Sequence, residues 1–489
     1  MEVCVVGTGY VGLVTGTCLA YLGHSVVCVD IDERKIETLR KGQSPIYEPG
    51  LDQLIASGTQ RGHLTFSTDL SKSVKESEII FIAVGTPPLP SGKADLSYVK
   101  AVAQSIGRAL DCERRRVIVN KSTVPIGSGD WVEMLVKEGL NDNPVWRDKL
   151  GATANAQASG SLATSSTISS TNRRSNGAKP EDLFLVASNP EFLREGSAIT
   201  DTFYPDRIVI GAADNHAAER LRALYEPIVE QTFTPPASAP RPADVTAIPV
   251  VTTDLASAEM IKYAANAFLA TKISFANEIA NICERVGSDV KEVVRGFGLD
   301  SRIGPKFLNA GVGWGGSCFG KDVSALIDIA KEYGYEPALL RSIVDVNKRQ
   351  RHVPVQKLQE ALKIIKGKTI GLLGLSFKPN TDDLRDAPAL EIAAQLIEMG
   401  ARVKAYDPIA NDACRRQYPD LKIEYSASAM ALAEDCDAVV IVTEWEEFRY
   451  LDLNQIGDVM NQKVLVDGRN VLDPEAVEMA GFKYRGIGR

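Results

Sequence analysis

A cysteine in a glycine-rich segment is the residue best suited to covalent chemistry. Cys318 lies in GWGGSCFGKD, residues 313–322, and Lys321 and Asp322 follow it within four residues. Glycines let the backbone fold tightly and expose a side chain, and a nearby cation increases the thiolate fraction of a cysteine. The segment predicts a nucleophile. A glycine-rich turn with a bystander cysteine is the alternative.

A lysine and an asparagine share one face of a long predicted helix. Lys262 and Asn266 are four residues apart in an otherwise apolar stretch, and residues at this spacing are neighbours on a helix. A buried pair of this kind could stabilise an oxyanion. A solvated lysine with a capping amide is the alternative.

Two glutamates follow a predicted strand in NPEFLREG, residues 189–196. Glu191 and Glu195 could serve as a proton acceptor and a cofactor contact. A helix N-terminus that favours acidic residues is the alternative.

A glycine turn near the start of the chain has the context of a dinucleotide site. Gly7, Gly9 and Gly12 follow an apolar strand and open a helix, and Asp30 ends the next strand. In this pattern the pyrophosphate lies on the helix N-terminus and the carboxylate binds the ribose. A carboxylate repels a 2′-phosphate, so NAD is favoured over NADP. A turn kept for packing is the alternative.

Two loops follow the next strands, at the edge of the sheet where ligands bind. They are GTP at 85–87, which contains Thr86, and KSTVP at 121–125, which contains Thr123. On local grounds each is equally consistent with an ordinary turn.

Strands that alternate with helices predict parallel sheets with helices on both faces. Apolar strands are expected at 3–6, 26–29, 79–84, 117–119, 183–187 and 207–210, and again at 369–375, 403–406, 438–442 and 464–466. One amphipathic helix is expected from Asp254 to Gly287. The fold class is therefore α/β, with two doubly wound Rossmann-like domains joined by a helical central domain.

The expected domains are residues 1–245, 246–350 and 351–489. In the last, Gly371, Gly374 and Asp407 repeat the first glycine turn loosely, without its phosphate fingerprint. Residues 145–180 are rich in Ser, Thr, Ala and Asn and predict a disordered insertion. Residues 235–250 predict a Pro-rich linker.

Composition excludes several classes of protein. The 489 residues carry 63 acidic and 55 basic side chains, and this acidic balance argues against nucleic-acid binding. No apolar run spans a bilayer, and the first residues do not resemble a signal peptide. Eight scattered cysteines without a CxxC pair predict reduced thiols in a cytoplasmic protein. Four isolated histidines argue against a metal site or a Ser-His-Asp triad.

Taken in order, these motifs resemble the UDP-glucose/GDP-mannose dehydrogenase family. The shared motifs are GxGYVG, GTPP, KSTVP, NPEFLREG, K-x-x-x-N-A-F, GGSCF-x-KD and SFKP-x-T-x-D-x-R. The resemblance covers the chain apart from 145–180 and 235–250. The stretch Arg302-Ile303-Gly304 before Phe307 is most similar to the UDP-glucose branch, and GDP-mannose or another nucleotide sugar is the alternative substrate.

The resemblance implies that a primary alcohol is oxidised twice with NAD, giving UDP-glucuronate for polysaccharide biosynthesis. Cys318 would add to the aldehyde as a thiohemiacetal, and the second oxidation would leave a thioester for hydrolysis. Lys262 and Asn266 would stabilise the oxyanion, Asp322 and Thr123 would hold a water, and Glu191 would act in hydrolysis. Lys262 and the Asp322–water pair both remain candidates for the first base.

The resemblance also implies ligand contacts. The expected cofactor residues, which include the glycine turn and Thr86, are Gly7, Gly9, Val11, Gly12, Asp30, Lys35, Thr86, Thr123, Glu195, Lys321 and Arg385. The expected substrate residues are Glu191, Phe192, Leu193, Arg194, Glu195, Lys262, Asn266, Arg302, Phe307, Leu308, Asn309, Ala310, Gly311, Gly315, Lys378 and Arg469. Arg302 would reach a neighbouring subunit, which implies a homodimer through the long helix. Trp314 and Gly320 depart from the family pattern without removing a catalytic group.

Overall fold

The chain divides into two units, Met1–Lys262 and Tyr263–Arg489. The computed structural model describes residues 1–87, 89, 93–111, 113–149 and 179–489. Residues 150–178, most of the predicted insertion, lie outside the described residues, so their disorder stays a prediction. The three predicted domain ranges also stay a prediction. Trp146 falls inside the predicted insertion, 145–180, but is buried in the core of the first unit. The folded part of the chain therefore extends into a segment whose composition predicted disorder.

The apolar runs of the first unit form one sheet. Its order is β3-β2-β1-β4-β5-β6-β7-β8, and neighbours are parallel except β6 and β7. The described strands are β1 Glu2–Val6, β2 Ser25–Val29, β3 Leu64–Ser67, β4 Ile79–Ile82, β5 Arg116–Asn120, β6 Phe184–Ser188, β7 Ile208–Ala212 and β8 Val250–Thr253.

Helices cover both faces of this sheet. They are α1 Tyr10–Tyr21, α2 Glu33–Arg40, α3 Leu51–Gln60, α4 Leu70–Glu76, α5 Ser97–Ala109, α6 Ser128–Asn141, α7 Ala198–Phe203 and α8 Asn215–Val229, with a 3₁₀ turn at Pro180–Asp182. Alternate residues of β1 point to opposite cores, because side chains alternate along a strand. Val3 and Val5 join one core, and Cys4 and Val6 join the other.

Helix α9, Leu255–Val286, confirms the predicted long helix. Asp254 caps it by accepting a hydrogen bond from Ser257 N at 2.8 Å, and Gly287 follows its end at φ 76°. The boundary between the two units falls inside this helix. In the second unit Phe268, Phe275 and Ile282 recur every seven residues and are exposed.

The second unit contains another sheet, with order β11-β10-β9-β12-β13-β14 and every pair parallel. Its described strands are β9 Thr369–Leu373, β10 Arg402–Tyr406, β11 Ile423–Tyr425, β12 Ala438–Ile441, β13 Val464–Asp467 and β14 Lys483–Gly486. Its helices are α10 Val290–Gly298, α11 Phe319–Glu332, α12 Ala338–Gln350, α13 Val353–Leu362, α14 Pro388–Glu398, α15 Asn411–Gln417, α16 Ala429–Ala433, α17 Leu453–Val459 and α18 Pro474–Met479, with a 3₁₀ turn at Glu446–Tyr450. The predicted α/β class with two doubly wound sheets is confirmed.

The Pro-rich stretch 235–250 is not a free linker, and that prediction was wrong. Ala239 and Ile248 are buried in the core of the first unit. Tyr204 Oη donates to the Ala239 carbonyl at 2.9 Å, and Ile248 N donates to Val229 O at 2.9 Å. The prolines suggested a linker, but these apolar anchors fasten the stretch to its own unit before β8 begins.

Among the residues that the structure describes, no helix combines the length and the apolar character that a membrane span requires.

Candidate active site

The glycine turn of the first unit has the shape of a dinucleotide cradle. Gly7 has φ 106°, and a Cβ there would lie 2.6 Å from Ala83 O, so only glycine is tolerated. A Cβ on Gly12 would lie 2.0 Å from Gly7 O, which explains the close packing of α1. Nothing lies within 4 Å of a Cβ placed on Gly9, the N-cap of α1, and Val11 is half-buried in its first turn. This open space at a helix N-terminus suits a pyrophosphate.

Asp30 follows β2 beside this turn. It accepts hydrogen bonds from Thr8 N at 2.9 Å and Thr8 Oγ1 at 2.7 Å, and Lys35 Nζ lies 3.9 Å away. Partial burial acts to raise the pKa of Asp30, but the hydrogen bonds from Thr8 and Asp32 and the charge of Lys35 outweigh it and lower the pKa. The ionised carboxylate is an acceptor for ribose hydroxyls.

The loops after β4 and β5 are joined by two of the predicted cofactor residues. Thr86 Oγ1 donates to Thr123 O at 2.9 Å. Both loops stand at the carboxyl ends of neighbouring parallel strands, and β4 lies next to β1, where the strand order reverses. This is the ligand-binding edge of such a sheet.

Glu191 and Lys262 form a buried ion pair within the first unit. Lys262 Nζ donates to Glu191 Oε1 at 3.0 Å, and both side chains are less than a tenth exposed. Among the described residues Glu191 Oε2 is buried without a hydrogen-bond partner. The Phe192 ring lies beneath Arg207 at 3.6 Å and near Lys262 Nζ at 5.3 Å. Lys262 is therefore buried, as predicted, and the partner of its ion pair is a carboxylate.

The rest of the NPEFLREG segment is anchored differently. Leu193 packs against the first core, whereas Arg194 is exposed and pairs with Asp201 at 2.7 Å. Gly196, beside half-buried Glu195, donates its N–H to Glu48 Oε2 at 2.6 Å. Glu48 also accepts a very short hydrogen bond from Tyr10, and burial is the main cause that raises the pKa of Tyr10.

The carboxylate of Glu48 thus connects the glycine turn to the segment that carries Glu191 and Glu195. Sequence reasoning missed it, because only the fold brings residues 10, 48 and 196 together.

Lys121 and Glu259 are two further buried groups that sequence reasoning missed. Lys121 Nζ donates to Asn189 Oδ1 at 3.0 Å, and burial is the main cause that lowers its pKa to about 8. Glu259, one turn before Lys262, accepts from Gly127 N at 2.7 Å and Gly129 N at 2.8 Å, and burial raises its pKa to about 7. Lys121 had a visible signal, since this lysine follows a strand whose central residues, 117–119, are apolar. Glu259 had none.

The second unit presents Cys318 at the N-cap of α11, where the residue is exposed. Gly316 precedes it at φ 86°, and a Cβ there would lie 2.7 Å from the Phe377 ring. A Cβ on Gly315 would lie 2.3 Å from Asp386 O, and Gly316 N donates to Arg385 O at 3.0 Å. The glycines therefore press the loop of Cys318 against residues 377–386 and leave the thiol outward.

One turn into α11, Asp322 is buried and joins two predicted site residues. Asn266 Nδ2 donates to Asp322 Oδ2 at 2.6 Å, and Lys321 Nζ donates to Oδ1 at 2.7 Å. Asp322 is 1% exposed. The buried interpretation of Asn266 is therefore correct, and its partner is a carboxylate four residues after Cys318.

Helix α12 holds the loop before Cys318 through residues that sequence reasoning missed. Asn347 accepts from Trp314 N at 2.8 Å and donates to Trp314 O at 2.9 Å. Arg351 Nη2 donates to the same carbonyl at 2.9 Å, and Gln350 donates to Gly311 O at 2.8 Å. These partners lie more than 30 residues away in sequence, so local patterns could not reveal them.

The remaining predicted ligand residues of the second unit lie either around Gly311 or on loops. A Cβ on Gly311 would lie 3.2 Å from Arg469 Cδ, and Arg469 Nε also lies 3.0 Å from Glu444. Before Gly311, Phe307 has φ 64°, Leu308 and Ala310 are buried, and Asn309 is exposed.

Three cations stand on loops. Lys378 lies 5.5 Å over the Phe377 ring, Arg385 pairs with Asp383 at 2.8 Å, and exposed Arg302 pairs with Asp300 at 2.5 Å. Among the described residues no cluster of His, Cys, Asp and Glu could hold a metal ion.

Three family models match this chain. They describe the NAD binding domain, the central domain and the UDP binding domain of the UDP-glucose/GDP-mannose dehydrogenase family, at residues 1–229, 256–349 and 371–474. The UDP-glucose 6-dehydrogenase TuaD of Bacillus subtilis is 46% identical over 488 residues, covering 100% of this chain and 93% of the relative. A UDP-glucose 6-dehydrogenase of Pseudomonas aeruginosa is 41% identical, covering 100% and 98%.

A solved structure agrees with these relatives. The UDP-glucose dehydrogenase of Pyrobaculum islandicum is 37% identical, covers 99% of this chain and 97% of its own, and has a TM-score of 0.82. The resemblance drawn from the motifs is confirmed, and the chain belongs to the UDP-glucose/GDP-mannose dehydrogenase family.

Proposed function

We propose that this protein is a UDP-glucose 6-dehydrogenase, which oxidises the C6 hydroxyl of UDP-glucose to the carboxylate of UDP-glucuronate. The observation that carries the proposal is the reactive loop of the second unit. An exposed Cys318 begins α11, and the buried Asp322 that follows it binds Asn266 and Lys321. Relatives of 37–46% identity that carry this name support the choice of substrate.

The residues of the first unit fit NAD. Gly9 leaves open space at the N-terminus of α1, and ionised Asp30 stands beside it as an acceptor. Lys35, Thr86, Thr123, Glu195, Lys321 and Arg385 are the further residues that we assign to the cofactor. When bound, NAD⁺ supplies the hydride acceptor for both oxidations.

The thiol of Cys318 makes the second oxidation feasible. An aldehyde carbon has no tetrahedral C–O centre from which a hydride can leave. Addition of the Cys318 thiolate forms a C–S bond and restores such a centre, and a helix N-terminus favours the thiolate. Loss of the second hydride leaves a thioester on Cys318.

Lys262 and Asn266 stabilise the oxygen that becomes negative during these steps. Each is buried and oriented by a carboxylate, Glu191 for Lys262 and Asp322 for Asn266. Such fixed donors need no reorganisation when the charge develops. For the first proton two acceptors remain candidates, Lys262 and a water held by Asp322 and Thr123.

Glu191 acts in the last step. Water attacks the thioester carbonyl, the C–S bond breaks, and the thiol of Cys318 is restored. Glu191 Oε2, which has no partner among the described residues, is the acceptor that we assign to the proton of this water. Hydrolysis makes the overall reaction effectively irreversible.

The substrate contacts, the three domain ranges and the assembly are part of the same proposal. The residues that we assign to the nucleotide sugar are Glu191, Phe192, Leu193, Arg194, Glu195, Lys262, Asn266, Arg302, Phe307, Leu308, Asn309, Ala310, Gly311, Gly315, Lys378 and Arg469. The exposed Phe268, Phe275 and Ile282, spaced like one seam of a coiled coil, support a homodimer through α9. In it, Arg302 would reach the site of a neighbouring subunit. A Phe275→Glu variant should sediment as a monomer, and an unchanged dimer would contradict this interface.

We place the protein in the cytoplasm, where thiols stay reduced. Six buried cysteines of the described residues, among them Cys4 and Cys28 on neighbouring strands, are free thiols.

Initial rates on UDP-glucose and GDP-mannose, with identification of the product, test this function. UDP-glucose should be preferred, and the product should be UDP-glucuronate. Cys318→Ser should abolish its formation, whereas Cys414→Ala, which removes a buried thiol of the second unit, should retain it. Turnover of GDP-mannose alone would refute the substrate assignment.

A further inference from the structure

Lys121 is a buried cation that the proposed mechanism has not used. It directly follows β5 and is 8% exposed. Its Nζ lies 5.9 Å from the centre of the Phe81 ring and 6.0 Å from that of Tyr225. Among the described residues no carboxylate lies within ion-pairing distance of Nζ. A buried charge without a bonded counterion costs stability, so its presence calls for a role.

The direct partner of Lys121 is the turn that presents Glu191. Lys121 Nζ donates to Asn189 Oδ1 at 3.0 Å, and Tyr225 Oη donates to the same oxygen at 2.7 Å. Asn189 Nδ2 in turn donates to Val209 O at 2.7 Å. Asn189 is therefore held from three elements, and Glu191 follows it after one proline.

The charge of Lys121 also acts on Glu191. Attraction by Glu191 favours the charged form of Lys121, and repulsion by Lys262 disfavours it. The charged and titratable groups around Glu191 in the first unit include Lys262 at 3.0 Å, Lys121, Tyr225 behind Asn189, and Arg207 on the far side of the Phe192 ring. One buried lysine therefore bonds the Glu191 carboxylate, and a second bonds Asn189, two residues before it. Glu191 Oε2 has no partner among the described residues.

We propose that Lys121 is a positioning residue for thioester hydrolysis. It fixes the Asn189–Glu191 turn, and its positive charge, added to that of Lys262, attracts the negative charge of the Glu191 carboxylate. The Glu191 carboxylate then takes a proton from the attacking water at Oε2 while the C–S bond to Cys318 breaks. This inference rests on the proposed function and extends it to a residue outside the expected site.

The test compares Lys121→Met with Tyr225→Phe. Both remove one hydrogen bond to Asn189 Oδ1, but only the first removes a charge. The readouts are the acid limb of the kcat–pH profile and the fraction of Cys318 carrying an acyl group, measured by intact-protein mass after quenching. Removing a nearby cation raises the pKa of a carboxylate. Lys121→Met should move the acid limb upward by about one pH unit or more and increase the acylated fraction below that limb.

Tyr225→Phe should leave the acid limb in place, and Lys121→Arg should restore it. An unmoved limb in Lys121→Met, or equal shifts in both variants, would overturn the inference and leave Lys121 a purely structural role. Methionine has a side chain of similar length to lysine and needs no counterion in a buried site. If Lys121→Met does not fold, Lys121→Gln gives the same decision, since it is neutral and still offers a donor.

Failure of this inference differs visibly from failure of the proposed function. A wild-type protein that forms no NADH from UDP-glucose would refute the function. A wild-type protein that forms NADH, with Lys121→Met unshifted in its acid limb, would refute only the role of Lys121.

Discussion

The two sheets have the same turn after strands β1 and β9, but different structures follow the turn in the two units. Gly7 N donates to Val29 O at 2.7 Å, and Gly374 N donates to Tyr406 O at 2.8 Å. The next residue donates its N–H to a carboxylate at the end of the second strand in both, Thr8 to Asp30 and Leu375 to Asp407. The loose repeat seen in the sequence is therefore a real structural equivalence.

The turns then diverge. In the first unit α1 begins at Tyr10, three residues after Gly7, so the helix N-terminus stands at the turn. In the second, α14 begins only at Pro388, and the loop between carries Lys378 and Arg385. The first turn therefore has a helix N-terminus beside it, whereas the second is followed by a long loop that carries two cations.

The carboxylates of Asp30 and Asp407 also differ in exposure and in the number of hydrogen bonds that they accept. Asp407 is 2% exposed and accepts from six donors, which include Ser376, Ile409, Ala410 and the Trp445 indole. Asp30 accepts from Thr8 and Asp32 and stays partly open. The Asp30 carboxylate is therefore open enough to accept further hydrogen bonds, whereas the hydrogen bonds of the Asp407 carboxylate all stabilise its own unit. Four substitutions test this difference.

Asp407→Ala should have the largest effect. It leaves several buried donors without an acceptor, so the free energy of unfolding should fall by roughly 3–5 kcal/mol. Denaturant unfolding measures it. Asp412→Ala, at an exposed carboxylate nearby, should change stability by less than about 0.5 kcal/mol. Equal losses in both would contradict the structural role of Asp407.

Lys121→Met should show how much the buried charge of Lys121 lowers the free energy of unfolding. Burial lowers the pKa of Lys121 to about 8 in the folded protein, below its ordinary value of 10.5. Between these values the unfolded chain binds more protons, so wild-type stability should rise with pH from about 8 to 10.5. The variant should lose this rise and be more stable at pH 7, by roughly 3 kcal/mol at most. Parallel stability–pH curves would contradict the lowered pKa.

Asp30→Ala should impair binding more than folding. Loss of a charged acceptor for the ribose should weaken NAD⁺ binding by roughly 10- to 100-fold, measured by calorimetry. The thermal midpoint should change little beside that of Asp407→Ala. Glu33→Ala, at an exposed position on α2, is the control. Unchanged NAD⁺ affinity would remove Asp30 from the site.

Asn347→Ala should lower the free energy of unfolding by about 1–2 kcal/mol, since it removes two hydrogen bonds to Trp314. A looser loop misplaces Cys318, so kcat should fall roughly tenfold or more while NAD⁺ affinity stays constant. Loss of NAD⁺ affinity instead would show that the substitution acts beyond the loop.

The strands that the sequence did not reveal share a position. Leu64–Ser67 and Val250–Thr253 are the two edges of the first sheet, and Ile423–Tyr425 and Lys483–Gly486 are those of the second. Central strands of a parallel sheet are buried on both faces and read as continuous apolar runs. Edge strands carry polar, exposed residues, so their pattern is weak.

The candidate site divides in a similar way. Cys318, Lys262, Asn266 and Glu191 were found because motifs carry them. Their supports Asn347, Arg351 and Glu48 were not found, because each acts through a contact that only the tertiary fold creates. The Pro-rich stretch was misjudged for the same reason, since Ile248 finds its partners far along the chain.

The yield of NADH from a limiting amount of UDP-glucose tests the four-electron reaction most directly. The wild-type protein should form two NADH per sugar, and Cys318→Ser should lose turnover. One NADH per sugar, unaffected by Cys318→Ser, would contradict the thioester route and leave Cys318 without a catalytic role.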